Sequence, residues 1–330
     1  MKNLRFLCTL FALTASLSAC GISGDKGVAI FHVGENWTKD VPIASGSTFA
    51  VTAEKNDLFH AALLTSSGLP SVARMPDGSF QAVQAGPAQF QAQDPSTKSV
   101  VDTVEFTVAD PVAISLGAWW ANTGNNNQIL KLPKKFALVQ NGRYVGGIVL
   151  EDATGTRLNH AAIAAMECPN VQFKVVGEFV EATATTLGDT QATVHLLGKN
   201  AGVTASYNVM VRSASDVADL HLTSLLVQNG ASAPADPEKA PVNSDSGASA
   251  TTTKSQVYVL STAATLADGT PIYGATLQWN EVDKNGQPTT GHLLTKQSNG
   301  GNYAVLKSGE TVKVTVTIGA LSQQVTLTAP

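Results

Sequence analysis

At 330 residues, with 43% hydrophobic and 14% charged side chains, the chain is apolar enough for packed cores and too apolar for a disordered protein. Its 21 Lys and Arg against 25 Asp and Glu give a formal net charge of −4 without a basic cluster. That argues against nucleic acid as a partner, because phosphates demand grouped Lys and Arg. The length predicts two or three domains at ~100–150 residues each. The three cysteines are Cys8, Cys20 and Cys168. Only Cys168 belongs to the body of the protein, and one thiol makes neither an internal disulfide framework nor a zinc site.

In chain order, Lys2 and Arg5 precede a twelve-residue apolar run, Phe6–Leu17 (FLCTLFALTASL). A helix that crosses a bilayer needs about twenty such residues. A charged start, a short greasy middle and small residues describe a secretory signal instead. Leu17-Ser18-Ala19-Cys20 resembles the lipobox of bacterial lipoproteins. The resemblance implies that the Cys20 thiol receives a diacylglycerol, that residues 1–19 are cut away, and that the new amino group is acylated. These covalent lipids are the only cofactor expected, and the membrane is the first partner. A thiol suits the step because a thiolate is a strong nucleophile. Two or three acyl chains, at ~0.8 kcal/mol per buried methylene, anchor stably where one would not. The alternative is an ordinary secretory signal cut after Ala19, with Cys20 incidental. Gly21 in place of an aspartate implies the outer membrane in a diderm source. Without Lys2 and Arg5 the balance is 19 basic against 25 acidic residues, a net −6. Residues 20–27 read as the lipidated cysteine and a tether. Fully extended, GISGDKG (21–27) would reach about 24 Å.

From Val28 onward strand patterns dominate. Val104–Val108, Val171–Val175 and most clearly Val312–Ile318 (VKVTVTI) alternate apolar and polar residues, the period of a half-buried strand. Asp77-Gly78, Asn141-Gly142, Asn229-Gly230, Asp268-Gly269, Asn285-Gly286 and Asn299-Gly300 supply tight-turn chemistry between the runs. Helix signals are confined to Leu58–Leu64 and Ala161–Met166, each predicting a turn or two. The class is all-β. Asp110-Pro111 and Arg212–Asp219 (RSASDVAD) mark boundaries, giving domains over 28–110, 111–213 and 214–330. Residues 230–256 are rich in Ala, Ser, Pro and Thr and read as a flexible insertion within the last domain, between its first two strands.

Residues 72–93 (VARMPDGSFQAVQAGPAQFQAQ) resemble the end of bacterial immunoglobulin-like domains of group 2. Val72, Ala73, Gly78, Ala82, Ala85-Gly86, Ala88, Phe90 and Ala92 occupy the pattern, with Val104–Val108 as the last strand. Independently of the family, Gly78 suits a hairpin turn, Gly86 a tight corner, and Phe80, Phe90 and Phe106 a sandwich core. Residues 178–211 look like a looser copy. Residues 257–279 resemble the invasin-like subtype in the hairpin Asp268-Gly269-Thr270-Pro271 to Gly274-Ala275, with Leu277 where that pattern has valine. The resemblance implies tandem immunoglobulin-like β-sandwiches and leaves function open.

Chemistry is sparse. The six histidines, His32, His60, His160, His195, His221 and His292, show no i, i+4 pair and no HExxH, so no metal ligand is assigned. His195 and His221 read as solvated strand positions. There is no GxSxG elbow or phosphate loop, and no catalytic residue is assigned. Asp283–Gly286 (DKNG) lacks the later ligands of a calcium loop and reads as a turn. Cys168 reads as an inert, buried thiol, with pairing to another chain as the alternative. Trp119 and Trp120 stand beside a polar run, Asn125–Asn127. Adjacent strand residues face opposite ways, so one indole can be exposed as a sugar- or protein-binding patch, or both can be packed. The expectation is a non-catalytic, membrane-anchored envelope protein with a structural, adhesive or scaffold role towards envelope proteins or glycans. The rivals are a glycan- or peptidoglycan-binding module in the middle domain and an envelope hydrolase with an unfamiliar site.

Overall fold

Alternating apolar residues become strands almost everywhere in the computed structural model, which describes residues 22–27, 29–34, 37–55, 63–66, 70–94, 96–119, 129–161, 163–231, 255–295 and 302–330. Among these residues the only helices are two single 3-10 turns, Gly198–Asn200 and Ala214–Asp216. The chain divides into two compact units, Met1–Ala109 and Asp110–Pro330.

The first unit is a β-sandwich. On one side Ala29–Val33 pairs with Ile22–Ser23 and Val51–Lys55, and Phe80–Ala82 pairs with Thr48–Phe49 and Val72–Arg74. On the other, Val100–Ala109 lies between Gly86–Gln93, antiparallel, and Ile43–Ala44, parallel, with Leu63–Ser66 beyond Gly86–Gln93. Inward positions alternate as the sequence predicts: Val104, Phe106 and Val108 are buried, and so are Ala88, Phe90 and Ala92. Phe90 sits at the centre, with Phe80, Phe106 and Phe49 at ring centroid distances of 5.1, 6.0 and 6.1 Å. Such tilted and edge-on pairs add ~0.5–1.5 kcal/mol each beyond area burial. Trp37 joins the same cluster, 4.9 Å from Phe49. Gly78 closes its hairpin at φ 89°, with its N–H donating to the Met75 carbonyl, and Gly86 turns its corner at φ 142°.

The second unit begins with a sandwich wired the same way. Ala113–Trp119 and Arg143–Glu151 pair antiparallel, and Arg143–Glu151 continues to Phe179–Ala184 and Val171–Val176. Opposite them, Thr204–Arg212 lies between Gly188–Leu196, antiparallel, and Lys135–Val139, parallel, and Ala164–Glu167 pairs beyond Gly188–Leu196. The looser copy noted in the sequence therefore folds as one. The helical turn expected at Ala161–Met166 is corrected: Ala164–Glu167 is a strand whose backbone pairs with Thr193–Leu196. A short apolar run shows no period long enough to separate strand from helix, and the neighbouring edge decides. The other helical expectation, Leu58–Leu64, lies outside the described residues except at Leu63 and Leu64, which begin the strand Leu63–Ser66.

The last part of the chain is a third sandwich. One face carries Val217–Ala231, Ser255–Leu266, Asn302–Lys307 and Leu293–Thr295; the other carries Gln278–Asp283, Thr311–Ile318 and Leu321–Thr328. Leu260, Ala304 and Leu306 from the first pack on Val312, Val314 and Leu327 from the second. Val217–Ala231 pairs along its length with Ser255–Leu266. The insertion expected between these strands lies outside the described residues at 232–254, whereas 230, 231, 255 and 256 are strand. Asn229-Gly230, expected as a turn, lies inside the strand at a register irregularity between Asn229 and Ala231. A bulge absorbs the extra residue where a turn would reverse the chain. Asn299-Gly300 lies outside the described residues, and Asp268-Gly269 and Asn285-Gly286 are turns.

Candidate functional site

Three places concentrate side chains with something to do: the N-terminal loop, the joint between the middle and last sandwiches, and a histidine held by two carboxylates.

Residues 22–27, expected as an extended tether, are built into the first sandwich. Ile22 and Ser23 pair with Phe31 and Ile30. The Gly24 N–H donates to the Ala29 carbonyl at 2.8 Å, and the Asp25 N–H to the Thr103 carbonyl at 2.7 Å. Asp102 holds the loop closed. It is fully buried, and its carboxylate accepts N–H bonds of 2.8 Å from Lys26, Ala29 and Thr103. Charge-assisted bonds of this kind are roughly twice as strong as neutral ones. Cys20 lies outside the described residues, two positions before Ile22. Sequence reasoning missed Asp102, though a signal was present: it stands in phase with Val104, Phe106 and Val108, an acid at an inward position of an alternating strand.

At the joint, the parallel strand Lys135–Val139 has two partners. Thr204–Arg212 lines one edge, and Pro271–Tyr273, from the hairpin that turns at Asp268-Gly269, lines the other. The pairing merges the middle and last sandwiches into one nine-stranded sheet. Ala137, Val139 and Met210 share a core with Val217, Leu220, Leu266, Ile272, Val316 and Ile318. Gly142 permits the contact, since a Cβ there would lie 2.0 Å from the Gly274 carbonyl oxygen. An aromatic row backs it: Phe136 lies 6.0 Å from Tyr207 and 6.1 Å from Tyr273, and Tyr144 lies 5.6 Å from Tyr273. The buried phenols are satisfied, because Tyr144 donates to the Gly117 carbonyl and Tyr207 accepts from the Leu116 N–H, both at 2.8 Å. Burial pushes the Tyr144, Tyr207 and Tyr273 hydroxyls above their usual range, so they stay protonated. The Ser213–Asp216 capping box stiffens the connecting turn.

In the last sandwich His292 faces a different carboxylate from each ring nitrogen: Glu281 at 3.2 Å from Nδ1 and Glu310 at 3.6 Å from Nε2. The Glu281 carboxylate also accepts the His292 backbone N–H at 3.3 Å. With the two carboxylates on opposite ring atoms, the arrangement braces a loop. Among the described residues no group of three or more His, Cys, Asp or Glu side chains is placed to hold a metal ion.

Of the residues singled out in the sequence, Trp119 ends the strand Ala113–Trp119, its backbone opposite Ile129; its side chain, Trp120 and Asn125–Asn127 lie outside the described residues. Cys168 is half-buried with its Sγ 3.9 Å from the Thr190 hydroxyl. His221 is exposed and 2.8 Å from Asp219, and His195 is half-buried. Asp283 accepts the Asn285 and Gln287 N–H groups in a hairpin turn.

No protein-family model matches the sequence, and no curated protein is significantly similar to it. Some solved structures align with the chain at low identity and low structural overlap. Domains 4–9 of the surface-layer protein SbsC share 15% identity over 90% of this chain and 46% of that one, with a TM-score of 0.32. The chain thus spans about half of that fragment. The Escherichia coli adhesin FdeC shares 12% over 94% and 99%, with a TM-score of 0.24. Invasin, a bacterial integrin-binding protein, shares 14% over 91% and 60%, with a TM-score of 0.22. The chain is all-β over its described residues and built of β-sandwiches.

Proposed function

We propose that the chain is an exported, lipid-anchored protein of the cell envelope with a non-catalytic structural or adhesive role, exercised through modules over 28–110, 111–213 and 214–330. The observation that carries the reading is the meeting of LSAC at 17–20 with sandwiches whose distinctive residues are spent on holding strands together. Acyl chains on Cys20 hold one end at the membrane, and the sandwiches display a surface to an envelope protein or glycan. The role is of the kind for which the similar surface-layer, adhesin and invasin structures are named. In a diderm source the membrane is the outer one.

Cys20→Ser tests the anchor. Mature protein from membranes carries the mass of a diacylglycerol and an acyl group on Cys20, and the variant keeps residues 1–19 and leaves the lipid-modified pool. A Cys20→Ser chain with unchanged mass and detergent partitioning overturns the reading.

A further inference from the structure

The segment after the lipidation motif has the composition of a spacer and the structure of a fastening. We propose that Asp102 is a latch that folds residues 22–27 onto the first sandwich, so that the anchored end is held against the domain. The inference rests on the reading of Cys20 as the lipid-bearing residue.

The carboxylate sits inside the hairpin it closes. Its two oxygens divide the donors: Oδ1 takes the N–H groups of Lys26 and Thr103, and Oδ2 that of Ala29. Donors withdrawn from water need an acceptor, and Asp102 serves both Lys26 and Ala29. Asp102 follows a register irregularity after Val100 and shares the inward face of the strand with Val104. Gly24 leaves the room: a Cβ there would lie 2.4 Å from the Asp102 carboxyl carbon. On the outer side Thr103 donates its hydroxyl to Asp25 at 3.1 Å. With the latch closed, only residue 21 separates Cys20 from the paired strand. With it open, residues 21–27 become a spacer of about 24 Å. The latch therefore sets how far from the lipid surface the first sandwich stands.

Lys26 is exposed while its backbone is held, so cleavage after it reports the latch. The full lipidated chain is bound to vesicles of phosphatidylethanolamine and phosphatidylglycerol and treated with a lysine-specific protease. Cutting at Lys26–Gly27, followed by mass, releases the remainder of the chain from the vesicles. We expect the natural chain to resist and Asp102→Ala to be cut roughly tenfold faster or more, because cleavage tracks the population of the open form. Gly24→Ala leaves Asp102 intact but displaces it, and should also be cut faster. That variant keeps the test decisive if Asp102→Ala loses the sandwich core. Equal rates in the natural chain and Gly24→Ala overturn the latch. A chain that never binds vesicles instead overturns the anchor, and the cleavage rates then judge the latch in solution.

Discussion

The first and middle sandwiches share one wiring diagram and differ in what their short parallel strand does. In the first, Ile43–Ala44 is two residues long and pairs with the end of Val100–Ala109. In the middle one, Lys135–Val139 is five residues long, pairs with Thr204–Arg212, and offers its other edge to Pro271–Tyr273 of the last sandwich. A longer strand leaves an edge that needs partners, and here the partner is the next module. The cores differ as well. The first is filled by clustered phenylalanines, the middle one by tyrosines whose hydroxyls bond to backbone. Neighbouring modules of one topology can thus be closed or fused by a few residues at a single edge.

The largest break in this comparison is Phe90→Ala. The side chain is fully buried among three other rings, so the loss should be ~3–5 kcal/mol. It should appear in the denaturant transition of the first unit and leave that of the second unmoved. A shift in both would contradict the division into two units.

A second test uses pH on the middle sandwich. His160 is buried, its Nε2 2.9 Å from the Ile148 carbonyl oxygen and its Nδ1 without a hydrogen-bond partner. Burial, aided by the charge of Arg157, pulls it from an ordinary 6.5 down to about 4. Because the folded value is the lower one, the unfolded chain takes up the proton first as pH falls. The stability contribution is full above pH 6.5 and declines towards pH 4, by ~3 kcal/mol. His160→Gln should flatten the slope of the second unit in that window, measured as the difference between denaturation curves of the two proteins. Parallel slopes would remove His160 as the cause.

The smallest expected effect sharpens the joint itself. Gly142→Ala forces its Cβ towards the Gly274 carbonyl oxygen, at a cost of about 1–3 kcal/mol. Hydrogen exchange at Ala137, Leu138 and Ile272 should accelerate while the amides of Val312–Ile318 stay protected. Uniform acceleration would mean that the two sandwiches open as one.

Much of the fold was legible because period-two patterning survives locally: Val104, Phe106 and Val108, or Val312, Val314 and Val316, declare their inward face without reference to anything distant. Val171–Val176 shows the limit, since its alternation is plain and yet only Val171 is fully buried; it is an edge strand with less to cover it. Helical turns and strands were confused at Ala161–Met166, where four paired residues are too few to show a period. Of the candidate sites, Cys20 was proposed from its flanking residues alone, because the resemblance to a lipobox lies in four consecutive residues of linear sequence.

The sequence by itself determined the all-β class, most turn positions and the aromatic core of the first sandwich. All of these rest on patterns within a few residues of one another. Tertiary structure decided that the hairpin at 268–274 reaches back to residues 135–139, that Gly142 and Gly274 touch, and that Asp102 closes a loop more than 70 residues earlier in the chain. Such pairings depend on which edges and buried carboxylates the rest of the fold leaves unsatisfied, and that is a property of the assembled sheets.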